Sequence, residues 1–313
     1  MPAQADPDLA LKLAQAVADL YGTATEQLLR IVAGRLGRGI ESPGWAEAKL
    51  AEVTGLRNEA RRVVEALQAA APDAVQAAIE GGWEAGIRAA QTDVTGTLTP
   101  RTNNAAVRRL IDETVTQLAD AHAQILRSTV DVYRQVVAQA SALPVSGAGT
   151  RRQAAQQAFD RLVDRGLTGF IDKQGRRWGL DTYAEMATRT ATGRAQVAGT
   201  LDRFQADGRD LVIVSDAPQE CKACRPWEGR VLSISGADPK YPSLQAAQRA
   251  GLLHANCRHR LGAYIPGVTK RLTDTADPEG DRLRREQRRL ERGVRQWKQR
   301  AAAALDDDTR RQH

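Results

Sequence analysis

The sequence predicts a mainly α-helical protein: a long helical N-terminal half, a small α+β module carrying every cysteine of the chain, and a basic amphipathic helix near the C-terminus. Three observations lead there. Hydrophobic residues make up 42% of the 313 residues and aromatic residues only 4%, which suits Ala- and Leu-rich helices over a modest core better than a large β-sandwich. Apolar residues recur at helical spacing through most of the first half. The three cysteines, with two of the four histidines, lie together between Cys221 and His259.

Taken in order, Asp6-Pro7 forms an N-cap followed by proline at the first helical position. Leu11, Leu13, Val17, Leu20, Leu28, Ile31, Val32 and Leu36 then carry one helix to the breakers Gly37, Gly39, Ser42, Pro43 and Gly44. A second helix is expected from Trp45 through Leu67, ended by Pro72, and a third from Asp73 towards Asp93 with a weak point at Gly81-Gly82. The clearest stripe is Val107, Ile111, Val115, Leu118, His122, Ile125, Thr129, Val132 and Val136, a helix of about 35 residues that runs until Leu143-Pro144. His122 sits on this stripe and reads as a packed core histidine. Val145–Gly149 is a joint. Gly169–Trp178 reads as a hairpin turning at Lys173-Gln174-Gly175. A helix follows from Asp181 to about Ala206, then a buried strand Leu211–Val214, an alternating strand Arg230–Ser235, and a short helix capped by Ser243 and stopped at Gly251. From Gly280, residues Leu283, Leu290, Val294, Trp297, Ala301 and Leu305 form an apolar stripe among arginines, and the tail after Asp306 is expected to fray. These textures divide the chain into a helical domain 1–144, a linker and helix 145–168, an α+β module 169–266, and a basic helix and tail 267–313.

Cys221-Lys-Ala-Cys224 followed by His254-Ala-Asn-Cys257-Arg-His259 has the spacing of two metal-binding knuckles, because a CxxC turn aims two sulfurs at one ion and thiolate and imidazole are the ligands Zn²⁺ prefers. Cys221, Cys224 and Cys257 supply three thiolates, with His259 or His254 as the fourth ligand of a closed, structural site. The competing reading is three buried thiols with two surface histidines. A disulfide framework is disfavoured by the odd cysteine count and the ligand-like spacing. The ligand pairs fall at the exits of elements too short to bury much area, where a metal would act as a staple.

The formal net charge of +7 is concentrated. Arg282–Arg300 holds nine basic against two acidic residues, so this segment accounts for all of it. Arg284, Arg285, Arg288, Arg289, Arg292, Arg295 and Lys298 are the candidate contacts to DNA or an acidic partner, against the plainer reading of a solvated helix face. The first residues lack a signal-peptide pattern and no stretch approaches 18 apolar residues, so a soluble protein made in a cytoplasm is expected. No phosphate-binding loop, GxGxxG, HExxH or zinc-deaminase pattern occurs. The best enzyme reading is an HNH-like metal nuclease using His254, Asn256 and His259, compressed into six residues beside a candidate ligand cysteine. A catalytic metal needs an open coordination position and a separate base.

The runs Asp181–Thr190, Asp210–Asp216, Cys224–Gly229, Val231–Gly236, Tyr241–Leu244 and His254–His259 resemble, in order, the phage minor capsid protein 2 family, which is related to MuF-like head morphogenesis proteins. Tyr21 with Leu28–Leu36, Trp45–Leu50 and Gln287–Arg295 resemble it too, so the likeness covers nearly the whole chain. Ala255 replaces a proline of the family pattern. MuF-like relatives carry Cys where His259 stands, which favours His259 over His254 as fourth ligand. The resemblance implies a non-enzymatic structural protein of a tailed phage or prophage, inside the capsid near the portal. It would act in head assembly, DNA packaging or genome delivery, with the portal, other head proteins and packaged DNA as partners and no membrane. During assembly it would be in the host cytoplasm. A free-standing DNA-binding protein is the other alternative.

Overall fold

The computed structural model describes residues 6, 8–93, 104–142, 150–164, 170–171, 175, 177–270 and 275–312. The protein is mainly helical, with a small three-stranded sheet. Among the described residues the helices are α1 (Leu9–Gly37), α2 (Trp45–Ala51), α3 (Val53–Asp93), α4 (Asn104–Ala142), α5 (Arg151–Asp164), α6 (Leu180–Ala206), α7 (Leu244–Arg249), α8 (Pro278–Ala302) and α9 (Asp307–Gln312). The strands are β1 (Phe170–Ile171), β2 (Arg177–Trp178), β3 (Leu211–Val214), β4 (Val231–Ser233) and β5 (Leu261–Ala263). By contact, the chain gathers into two compact units, one of residues 1–16, 73–115 and 185–288, the other of 17–72, 116–184 and 289–313. The consecutive segments read from sequence follow chain texture; these units follow contact.

Local chemistry accounts for the helix ends. Asp6 Oδ1 accepts from the Asp8 amide at 2.9 Å before α1, Ser243 Oγ from Ala246 at 3.1 Å before α7, and Asp277 Oδ1 from Gly280 at 2.8 Å before α8. Each cap satisfies a donor that the first turn leaves free. The long stripe of Val107–Val136 is α4, and the hairpin pairs Phe170 with Trp178. The joint Val145–Gly149 and turn residues Lys173-Gln174 lie outside the described residues.

Two helix assignments need correcting. Pro72 does not end a helix: α3 continues through it, and the separate helices expected before and after are one after Glu52. The proline removes one backbone donor and costs about 3 kcal/mol, but buried Leu67, Ala71, Val75, Ala78 and Ile79 keep helical spacing across it, and that burial offsets the loss. The tail also folds. Asp306 Oδ1 caps Thr309 at 2.8 Å and starts α9, while α8 stops at Ala302, before Leu305.

In the unit of residues 17–72, 116–184 and 289–313, Leu29, Val32, Leu36, Trp45, Tyr133, Val136, Phe159, Leu162 and Leu305 form one core. The Trp45 indole donates to the Leu36 carbonyl at 3.0 Å. His122 is buried as expected, 2.8 Å from the Tyr21 hydroxyl. Burial lowers its pKa, so the ring is neutral. In the other unit, Val212, Val214, Leu232 and Leu261 of the sheet pack with Phe204, Leu244, Leu252 and Cys224. There α3 and α6 approach so closely that a Cβ on Gly86 would sit 2.0 Å from the Gln196 carbonyl oxygen, and one on Gly199 2.4 Å from that of Trp83. Gly82, part of the expected weak point, faces the Thr192 carbonyl at 2.6 Å by the same measure. These glycines let two backbones touch.

Candidate metal centre

The sheet order β4-β3-β5 is what joins the two knuckles. β3 lies centrally, antiparallel to both neighbours, with Val214 opposite Leu261, and the ladder continues as the Ser215 amide donates to the Arg260 carbonyl at 2.9 Å. The chain leaving β3 makes the first knuckle and the chain entering β5 makes the second. β5 is a strand that sequence periodicity missed, because three residues are too few to show a period. In the first knuckle the Cys224 and Arg225 amides both donate to the Cys221 carbonyl, at 3.1 and 3.0 Å, and a 3-10 turn Arg225–Trp227 follows. In the second, the Cys257 amide donates to the His254 carbonyl at 3.0 Å.

Backbone strain collects at this place. Among the described residues, the non-glycine residues with positive φ are Gln219 (62°), Leu253 (57°) and Asn256 (65°), each within two positions of a candidate ligand. Such conformations cost about 1–2 kcal/mol for residues such as Gln219 and Leu253, less for Asn256, whose short polar side chain tolerates them, and they persist where the surroundings impose them, which functional sites do more often than ordinary loops.

Four side chains converge around Cys224, which is fully buried. Its sulfur lies 3.5 Å from that of Cys257, and Cys257 Sγ lies 3.4 Å from His259 Nδ1. Metal bonds of about 2.3 Å to sulfur and 2.0–2.1 Å to nitrogen imply tetrahedral edges of about 3.5–3.8 Å, so these separations suit one small ion. Cys221 Sγ is 2.9 Å from His254 Nε2. The ligand atoms form two overlapping triplets, Cys221/Cys224/His254 and Cys224/Cys257/His259, each within 4.8 Å and sharing Cys224. The sequence-favoured set of Cys221, Cys224, Cys257 and His259 is thus represented as three neighbours plus Cys221, which stands in the adjoining triplet.

One residue of the site escaped sequence reading. Glu228 is 1% exposed, and its Oε1 accepts from His259 Nε2 at 2.8 Å while His259 itself is 2% exposed. The Ala217 amide at 3.2 Å and the Thr275 hydroxyl at 2.6 Å donate to the same carboxylate. A carboxylate on one imidazole nitrogen fixes the tautomer and leaves the other nitrogen for a metal. Its only sequence signal was position, four residues beyond the CxxC turn. His254 is tied likewise, Nδ1 lying 2.6 Å from the Ala255 carbonyl.

The electrostatics favour thiolate at Cys257 and Cys221 and thiol at Cys224. Hydrogen bonding from Cys224 and then from His259 pulls Cys257 down to about 4 against the opposing effect of burial, whereas sharing with Cys257 and burial push Cys224 up. Burial opposes, but the bond with His254 outweighs it and lowers Cys221. Against the same opposition of burial, Cys257 and Glu228 raise His259. An ion would replace this shared proton. Of the histidines in the HNH-like reading, His259 is buried and His254 exposed.

The basic segment is split by its surroundings. Arg284 and Arg285 both pair with Asp281, at 3.2 and 2.7 Å, and Arg288 with Glu185 at 3.4 Å. Arg289, Arg292 and Lys298 are exposed and Arg295 is half-buried. Of the apolar stripe, Leu305 is buried and Ala301 half-buried, but Leu283, Leu290, Val294 and Trp297 remain 52%, 56%, 56% and 48% exposed.

The sequence profile of "Phage minor capsid protein 2" matches residues 5–312. A curated "Structural protein" of Lactococcus phage LL-H is 31% identical over 186 residues, covering 55% of this chain and 50% of that protein. A "Structural protein" of Lactococcus phage mv4 is 38% identical over 74 residues, 21% of this chain and 60% of its own. The chain thus spans about half the length of the curated relatives it matches. No solved structure matches. With the matched profile running through both knuckles and all described helices, the chain belongs to the phage minor capsid protein 2 family.

Proposed function

We propose that this chain is a structural head protein of a tailed phage or prophage, lodged inside the capsid near the portal and acting in head assembly, DNA packaging or genome delivery. The family match over residues 5–312 supports this reading. Its locations would be the host cytoplasm during assembly and the virion thereafter. No helix among the described residues is long and apolar enough to cross a membrane. Helices α1, α3 and α4 supply docking surface, and the α+β unit supplies rigidity.

The rigidity rests on zinc in this reading. Cys224, Cys257 and His259 would hold the ion, Cys221 would complete the tetrahedron, and His254 would serve as the alternative fourth ligand. The buried carboxylate of Glu228 behind His259 is the observation that favours a metal over three plain thiols. With the shared Cys224–Cys257 proton displaced, zinc would bind the strained loops into one unit and leave no position for substrate water. Glu228→Gln is expected to weaken zinc affinity by about 10–100-fold, as loss of an outer-shell partner typically does. Competition with a chelator of known affinity measures this, and unchanged affinity would remove Glu228 from the site.

Exposed Leu283, Leu290, Val294 and Trp297 would dock on another head protein, the portal foremost, leaving Arg289, Arg292 and Lys298 towards packaged DNA or an acidic surface. Each phosphate neutralised adds about −0.9 to the slope of log K against log salt. Deleting residues 280–313 should remove that salt-dependent DNA affinity and lower incorporation into particles. Normal incorporation together with an absent salt-dependent term in the full chain would make the helix a solvated face. An HNH-like nuclease would instead nick plasmid in Mg²⁺ or Mn²⁺ and lose that activity in His254→Ala; no nicking is expected. A free-standing DNA-binding protein would need affinity without any head component.

A further inference from the structure

We propose that Arg189 is the seat of a bound phosphate group, held between α6, the second knuckle and the first turns of α8 by Arg189 together with Arg258, Arg284 and Arg288. Arg189 is only 9% exposed, and its hydrogen bond is a long one, Nη2 to the Asn256 carbonyl at 3.5 Å. No carboxylate among the described residues lies within ion-pair distance of it. The three neighbouring guanidinium groups each have an acid: Arg258 pairs with Asp8, Arg284 with Asp281 at 3.2 Å and Arg288 with Glu185 at 3.4 Å. One cation is left over, and it is the most buried of the four.

Burial first, then the repulsion of Arg288, lowers the Arg189 pKa to about 10 against the attraction of Glu185, so it is still charged at neutral pH. A buried ion without a counter-ion costs several kcal/mol, and an apolar side chain of similar volume would serve packing better. Glu185, the acid whose charge reaches Arg189, is already paired with Arg288, so the charge kept here is incompletely countered. The rigid forks of several guanidinium groups match the oxygens of a tetrahedral oxyanion and favour a doubly charged one. The phosphate can come from a nucleic-acid backbone or from free phosphate in solution. This site is separate from the exposed cations of α8 and independent of the head role proposed above.

The full chain, purified with its metal content unchanged, is titrated with inorganic phosphate by calorimetry and by thermal denaturation. Phosphate is expected to bind one to one and to raise Tm. Arg189→Met should weaken phosphate binding by more than about tenfold and leave the Tm without phosphate equal to or above that of the original protein. Arg189→Lys, which keeps the charge and loses the fork, should fold in any case and weaken phosphate by about tenfold. A duplex oligonucleotide identifies the source. If phosphate competes with the duplex and Arg189→Met weakens both, the backbone supplies the group; if only inorganic phosphate is lost, the site takes the free ion. Absence of phosphate binding to the original protein, or an affinity in both variants unchanged from that of the original protein, overturns the proposal.

Discussion

Cys224→Ser is expected to abolish zinc binding and to loosen residues 205–265 while leaving the core around Leu29, Tyr133 and Phe159 folded. Cys224 is the one ligand common to both triplets, so its loss breaks both of them at once. Zinc binding contributes about 10–16 kcal/mol of folding free energy in isolated zinc-finger peptides. Here the loss is smaller, because Val212, Val214, Leu232 and Leu261 retain their packing. The strained residues Gln219, Leu253 and Asn256 relax first, since nothing then imposes their conformation. Elemental analysis should find one zinc per chain in freshly purified protein and next to none in the variant. Hydrogen exchange should show protection falling across both knuckles and unchanged in residues 17–72 and 116–142. Full zinc retention by Cys224→Ser would sink the metal assignment outright. Acid should act in the same direction as the mutation, because protons compete with the ion for thiolate and imidazole.

Much of this site was legible in the sequence because ligand chemistry fixes spacing. The CxxC turn and the HxNCxH run announced both knuckles, and the strand Leu211–Val214 placed the first of them. What the sequence withheld was the join. β5 is too short for a period, and the carboxylate of Glu228 becomes a site residue only once β3 and β5 pair and bring His259 to it. The fold shows the same division. Capping at Asp6 and Ser243 and the stripe of α4 are local and were readable. The continuity of α3 through Pro72 depends on burial at Leu67, Ala71 and Val75, which no local rule for proline contains. In α8 the stripe was visible, but which part lies covered depended on where the helix ends.

The glycines of α3 and α6 show how a helix-weakening residue can be required. Gly86→Ala and Gly199→Ala are expected to destabilise by about 3 kcal/mol or more, the upper range for overpacking a tight interior. The added methyl would lie 2.0 Å from the Gln196 carbonyl oxygen in the first case and 2.4 Å from that of Trp83 in the second. Both obstacles are backbone, so no rotamer change relieves them, and α3 and α6 must separate along the buried face that includes Ile79, Trp83, Ala191 and Ala195. Intrinsic propensity pulls the other way by only about 1 kcal/mol per Gly→Ala exchange. Gly193 on the same helix gives the control, since nothing lies within 4 Å of its would-be Cβ; Gly193→Ala should therefore stabilise by up to about 1 kcal/mol. Chemical denaturation followed by circular dichroism and by tryptophan fluorescence compares the three. Opposite signs for Gly193 and Gly199 are the expected result. A stabilised Gly199→Ala would mean that the two helices do not approach as closely as the structure has them.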